Sequence, residues 1–223
     1  MTPGFVHLHV HSEYSLVDGV ARIKPLIKAV AGQGMPAIAL TDHSNLFALV
    51  RFYRAAIAAG VKPIAGADVL VRNPVDAHKP DRLVLLVQNG AGYRNLTELV
   101  SRSYREGQRL GVPMLEPEWF TADACDGLIA LSGGRDGDVG RALVAGSRPL
   151  AAQRLAHWVG LFGDRFYLQL TRTGRAFEEA CLHETVALAA RERDHVQGAR
   201  HEDGRENTRQ NARERRRGRH QTG

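Results

Sequence analysis

The stretch Phe5-Val6-His7-Leu8-His9-Val10-His11 decides how the rest of the chain is read. Apolar residues alternate with imidazoles at a period of two, the period of a strand. Successive strand side chains point to opposite faces, so the three imidazoles share one face at ~6.6 Å spacing. Val6, Leu8 and Val10 then face apolar packing. Imidazoles fill a core poorly, because each needs a hydrogen-bond partner, but they present neutral nitrogen donors well to a metal. The segment runs into Ser12-Glu13-Tyr14-Ser15 rather than a glycine-rich phosphate turn. That favours a barrel, with its active face at the C-terminal strand ends, over a doubly wound open sheet.

Outward from this strand, apolar runs and amphipathic stretches alternate. A helix is predicted over 23–33, with Pro25 in its first turn and Gly34 ending it. A strand follows over 37–41, then a helix over 46–59 with Gly60 suited to its C-cap. The strand over 62–71 is interrupted by Gly66. The run 83–87 is wholly apolar, as in a strand covered on both faces. A helix over 93–105, a strand over 127–132, helices over 139–145 and 150–161, a strand over 165–170 and a helix over 176–191 complete the pattern. Strand–helix alternation of this kind reads as parallel α/β.

The strand ends carry further ligand-type side chains. Asp18 lies just past the first strand, Thr41-Asp42-His43-Ser44 closes the second, and Gly66-Ala67-Asp68 falls within the third. Singly each has an ordinary use: Asp42 as a helix N-cap, Asp68 as a turn residue, His43 as a solvated loop residue. Jointly they place oxygen and nitrogen donors on one rim of a parallel barrel. His78 reads as an exposed loop residue, His157 and Trp158 as packing or capping residues on a helix, and Cys125 and Cys181 as structural thiols.

The residues from Phe5 to Gly19 resemble the opening of the PHP (polymerase and histidinol phosphatase) domain family, in the branch found at the start of bacterial DNA polymerase III alpha subunits. The likeness continues through Gly34–Leu46, Gly60–Asp68, Asn89–Leu96, Leu131–Gly140 and Phe166–Arg175, and covers residues 5–193. The resemblance implies a distorted (β/α)7 barrel with a rim site for up to three divalent metals (zinc, manganese or magnesium). Onto that site it carries His9, His11, Asp18, His43 and Asp68, with Asp68 standing where many members have Glu and His7 treated as a neighbour. It also implies departures. Arg82 matches a position that is often His, and Gly134 matches one that is often Cys. The final Asp-x-His pair would follow a seventh strand beyond Arg193. A guanidinium ~6 Å from a divalent ion repels it by roughly 5 kcal/mol at an effective dielectric of ~20. The expected site is therefore degenerate, without tightly bound metal and without useful phosphoesterase activity.

The implied role is in DNA replication: a scaffold that docks the proofreading exonuclease subunit and other polymerase III components, meeting DNA through the parent polymerase. The polymerase palm would lie far downstream, so no nucleotide incorporation is expected from this chain. The alternative is a stand-alone metal-dependent phosphoesterase.

Composition sets the remaining bounds. The chain has 223 residues, 43% apolar and 24% charged, an ordinary globular composition. No apolar run nears the ~18 residues of a membrane span, and the N-terminus lacks a secretory pattern. Two distant cysteines fit a reducing cytoplasm. The net charge of +6 divides evenly: +3 from residues 1–193 (22 basic, 19 acidic) and +3 from residues 194–223 (8 Arg, 5 acidic). Residues 194–223 hold only Val196, Ala199 and Ala212 as apolar side chains, too few to offset ordering entropy, so a disordered basic tail is expected. Its Arg213–Arg219 run could bind phosphates. The abrupt change at Asp194 suggests off-frame or non-native sequence, leaving domain 1–193 as a barrel without its last strand and with unpaired edges.

Overall fold

The structure, a computed structural model, describes residues 4–16, 19–76, 78–170 and 178–191. Its elements in chain order are α1 (Ile23–Gly32), β1 (Ala37–Leu40), α2 (Leu49–Ala58), β2 (Lys62–Val71), β3 (Asp81–Val87), α3 (Gly90–Arg105), β4 (Gln108–Arg109), β5 (Val112–Pro113), α4 (Ala122–Cys125), β6 (Leu128–Leu131), α5 (Asp138–Val144), α6 (Arg148–Phe162) and β7 (Phe166–Tyr167). A further helix, α7, covers 178–191. Asp18 and the basic tail from 194 onward lie outside the described residues.

The strands form one five-stranded sheet in the order β1-β2-β3-β6-β7. It is mixed, which corrects the all-parallel expectation. β1 runs parallel to the first half of β2, and β6 runs parallel to β7. From Gly66 onward β2 pairs antiparallel with β3, and β3 pairs antiparallel with β6. The physical reason lies in the link 72–80. A parallel crossover needs a dozen or more residues, and this link is too short for one. The apolar run 83–87 within β3 thus reports burial on both faces, not strand direction.

Gly66 does not interrupt β2. The ladder passes through it, opposite Leu86. A Cβ there would lie 2.6 Å from the Leu85 carbonyl oxygen and 2.9 Å from Thr41 Cγ2. Glycine is needed because the neighbours on both sides approach too closely for a side chain. Gly66→Ala is expected to destabilise the fold by about 2–3 kcal/mol, the usual penalty for overpacking. Urea unfolding checks this, and a change within ±0.5 kcal/mol would contradict it.

The segment 5–11 lies alongside β1 but is not a regular strand. His7 bridges Ile38 in parallel, and the Ala39 and Thr41 amides donate to the His7 and Val10 carbonyls at 2.8 and 2.9 Å. The Val10 amide, however, donates to Thr41 Oγ1 at 2.9 Å instead of to a carbonyl. A side-chain hydroxyl substitutes for the ladder, and the backbone bends at His9. The segment is therefore not the regular strand that the two-residue alternation predicts, and Leu8 is 41% exposed rather than packed.

Among the described residues the hydrogen-bonded sheet is open, and a closed seven-stranded barrel is not observed. The sheet nevertheless curls. Gln169, two residues beyond β7 at one edge, reaches His9 beside β1 at the other, with Nε2 2.9 Å from Nδ1. Its concave face forms a trough of about 1300 Å³ lined by Leu8, Ile64, Leu86, Ile129 and Tyr167, with Tyr53 of α2 along one wall. On the outer side α3, α5 and α6 build the largest apolar cluster, where Trp158 packs edge-on to Phe120 at 5.2 Å and stacks on Phe166 at 6.1 Å. A second cluster joins α1 and α2 to β1. Among the described residues no helix is long and apolar enough to cross a membrane.

Charge is also buried away from the rim. Asp81, 7% exposed at the start of β3, faces Arg141 Nε at 3.4 Å. Burial and the neighbouring Asp138 push its pKa up from 3.8 to about 6, against the opposing pull of Arg141, Arg154 and Asn73. A raised acid pKa means the folded state holds its proton more tightly, so stability falls as pH rises from about 4 to about 6. Asp81→Asn is expected to flatten that decline and to be at least as stable as the unaltered chain at neutral pH. Unfolding midpoints across this window test it, and an unchanged slope would exclude Asp81 as its source. Cys125 is fully buried, and burial pushes its thiol up to about 11, in keeping with a structural role.

Candidate metal centre

The centre is built around one buried carboxylate. Asp68 sits in the second half of β2, where the Ser44 amide donates to its carbonyl at 2.8 Å and its own amide donates to the Asp42 carbonyl at 3.2 Å. Its side chain is fully buried. Oδ2 receives three cationic or polar neighbours: His9 Nε2 at 3.1 Å, His11 Nε2 at 3.0 Å and Arg82 Nη1 at 3.3 Å. Oδ1 is buried with no hydrogen-bond partner. Burial alone would raise the pKa of Asp68. Hydrogen bonds from His11 and His9 and the charge of Arg82 outweigh it and hold the carboxyl well below the usual carboxylate range. Asp68 therefore stays ionised, and its contribution to stability is present above about pH 4 and lost as pH falls.

The bend at His9 brings it and His11 onto the same oxygen, with ring centroids 5.1 Å apart. His9, His11 and Asp68 each place a donor atom within 4.8 Å of the others, and they come together as the sequence spacing anticipates. His43 stands at the edge of this group. Its backbone bridges Asp68 in parallel, and its ring centroid is 6.5 Å from that of His11. His7 is exposed and packs edge-on against Phe5 at 4.8 Å. Gly134, at an expected ligand position, is buried and supplies no donor.

Four residues, Asp42, Ser12, Ser15 and Gln169, take roles that the sequence reading does not give them. Asp42, read there as a helix cap, is 1% exposed and clamps the loop after His11. It accepts from the Ser12 amide at 2.6 Å, Ser12 Oγ at 2.8 Å and Ser15 Oγ at 3.0 Å, while the His43 amide donates to Ser15 Oγ at 3.0 Å. This network fixes the Ser12–Ser15 turn against the 41–45 segment and so sets the positions of His11 and His43. The signal was present as two serines spaced around Glu13-Tyr14, but their common partner is not written in the sequence. Gln169 reads from the sequence as a strand residue within the Phe166–Arg175 likeness, and a polar side chain between Leu168 and Leu170 is its one local sign.

The arrangement can do one of two things: offer two imidazoles and a carboxylate to a divalent cation, or neutralise that carboxylate internally through Arg82. Comparison with known proteins then defines the class. The PHP domain family matches residues 7–173, and the chain belongs to that family. It is 50% identical over 191 residues to the DNA polymerase III subunit alpha of Pseudomonas aeruginosa and 46% identical over 187 residues to that of Escherichia coli K12. These alignments cover 86% and 84% of this chain, which spans 16% of the length of either relative. A solved structure from Bifidobacterium adolescentis, named for metal-dependent phosphoesterase activity, shares the fold with a TM-score of 0.56 at 11% identity, over 85% of this chain and 84% of that one.

Proposed function

We propose that this chain acts as the PHP-domain portion of a replicative polymerase alpha subunit, a scaffold on which the proofreading exonuclease subunit and other polymerase III components assemble. The identity to two polymerase III alpha subunits supports the setting. The observation that carries the scaffold reading is Arg82 Nη1, 3.3 Å from the carboxylate that any metal would need. The donors themselves fit a single divalent cation. His9, His11 and Asp68 converge, the nitrogen-rich set suits zinc better than magnesium, and the partnerless Asp68 Oδ1 has unused acceptor capacity. His43 would be the next ligand, and Asp18 is proposed with it on the strength of the family likeness alone. A bound cation would polarise a phosphoryl oxygen or lower the pKa of a water. Arg82 competes with it, so occupancy is low and phosphoesterase turnover negligible.

Elemental analysis of protein purified without chelators is expected to find less than one metal per chain. Two or more, together with hydrolysis of a phosphomonoester, would instead favour a working phosphoesterase. Co-purification with the proofreading exonuclease subunit tests the scaffold role, and failure to associate would remove it.

A further inference from the structure

We propose that Gln169 selects the ring tautomer of His9 and thereby decides whether His9 faces Asp68 or a cation. The side-chain amide nitrogen of Gln169 lies 2.9 Å from His9 Nδ1. An amide nitrogen only donates, so Nδ1 accepts and carries no proton. Nε2 then carries a proton, which it donates to Asp68 Oδ2 at 3.1 Å. In this arrangement Nε2 has no lone pair for a metal. Ligation requires the proton to move from Nε2 to Nδ1, and Nδ1–H then needs an acceptor.

Gln169 holds that acceptor. Its Oε1 is buried and has no hydrogen-bond partner in the present arrangement. Turning the amide by a half-rotation exchanges two atoms of nearly equal size and places Oε1 on Nδ1. One orientation of Gln169 therefore closes the Asp68 cluster on itself, and the other frees Nε2. The residue belongs to the segment after β7, at the far edge of the sheet from His9, so the tautomer also depends on the curl that joins the two edges. Gln169 is a positioning residue and touches neither metal nor substrate.

This inference deepens the cation-site reading, and its primary readout is taken without metal. Long-range proton–nitrogen spectra of the whole metal-free chain are expected to show His9 as the Nε2–H tautomer. In Gln169→Glu, whose side chain only accepts when ionised, Nδ1 of His9 is expected to gain a proton. In Gln169→Met, which has the same length and no amide, the two tautomers are expected to mix. Zinc chloride titrations should show about tenfold tighter binding for Gln169→Glu than for Gln169→Met, in the range that orienting partners of ligands command. Nδ1–H in the unaltered chain, or the same His9 pattern in all three proteins, would overturn the assignment. Absence of zinc binding throughout, alongside switching tautomers, would instead count against the cation reading and leave the role of Gln169 supported.

Discussion

Arg82→Met is expected to tighten zinc binding about 100-fold relative to the unaltered chain. A cation bound by Asp68 would sit on the oxygen that Arg82 approaches at 3.3 Å, so the two positive charges would be roughly 6 Å apart. Their repulsion at an effective dielectric of ~20 is roughly 5 kcal/mol. The Arg82 side chain is 29% exposed, and solvent screening reduces that to about 3 kcal/mol, or about 100-fold. Methionine keeps much of the aliphatic stem and removes the charge. Calorimetric titration with zinc chloride measures the change directly. An affinity within threefold of the unaltered chain would mean that Arg82 can swing away from Asp68 without penalty, and the scaffold reading would lose its main support. A lower thermal midpoint is expected to accompany the gain, because Asp68 would lose part of the positive environment that keeps it ionised in a buried site.

The second large effect is on stability. Asp42→Ala is expected to destabilise the fold by about 4 kcal/mol, a shift of roughly 8–16 °C in a domain of this size. The substitution removes a buried carboxylate and leaves the Ser12 amide and the Ser12 and Ser15 hydroxyls without their acceptor. Hydrogen bonds to a charged group contribute about 1.5–3 kcal/mol each, and adding Ser12→Ala recovers part of the loss by deleting a stranded donor. If Asp42 were the helix cap that its sequence position suggests, the loss would be nearer 1 kcal/mol and independent of Ser12. Thermal melts of Asp42→Ala, Ser12→Ala and the double variant separate these outcomes.

The metal-type donors were legible because their chemistry is local. Histidine at two-residue spacing followed by an aspartate in a later strand needs no tertiary information to be noticed, and His9, His11 and Asp68 do meet. What escaped depends on pairing. Strand direction is not encoded in apolar period, and only the short link 72–80 betrayed the antiparallel step between β2 and β3. The bend at His9 follows from Thr41 Oγ1 taking the place of a carbonyl, a choice that composition cannot show. Gln169 contributes across 160 positions of sequence, so no window reading could attach it to His9. The family likeness marks Arg82 and Gly134 as departures, while the closed barrel it implies is not seen among the described residues.

The irregular join between 5–11 and β1 bears on how the centre behaves in time. Asp68 is held by ladders to β3 and lies deep in the sheet, whereas both imidazoles are brought to it by a segment joined irregularly to β1 and clamped only after His11, by Asp42. Such a segment can peel away by local opening while the rest of the molecule stays folded, so its amides should exchange with solvent hydrogen well before those of β2 and β3. The nitrogen half of the centre is thus expected to be its more detachable half, and the lifetime of any bound ion to follow opening of the 5–11 join rather than unfolding of the sheet.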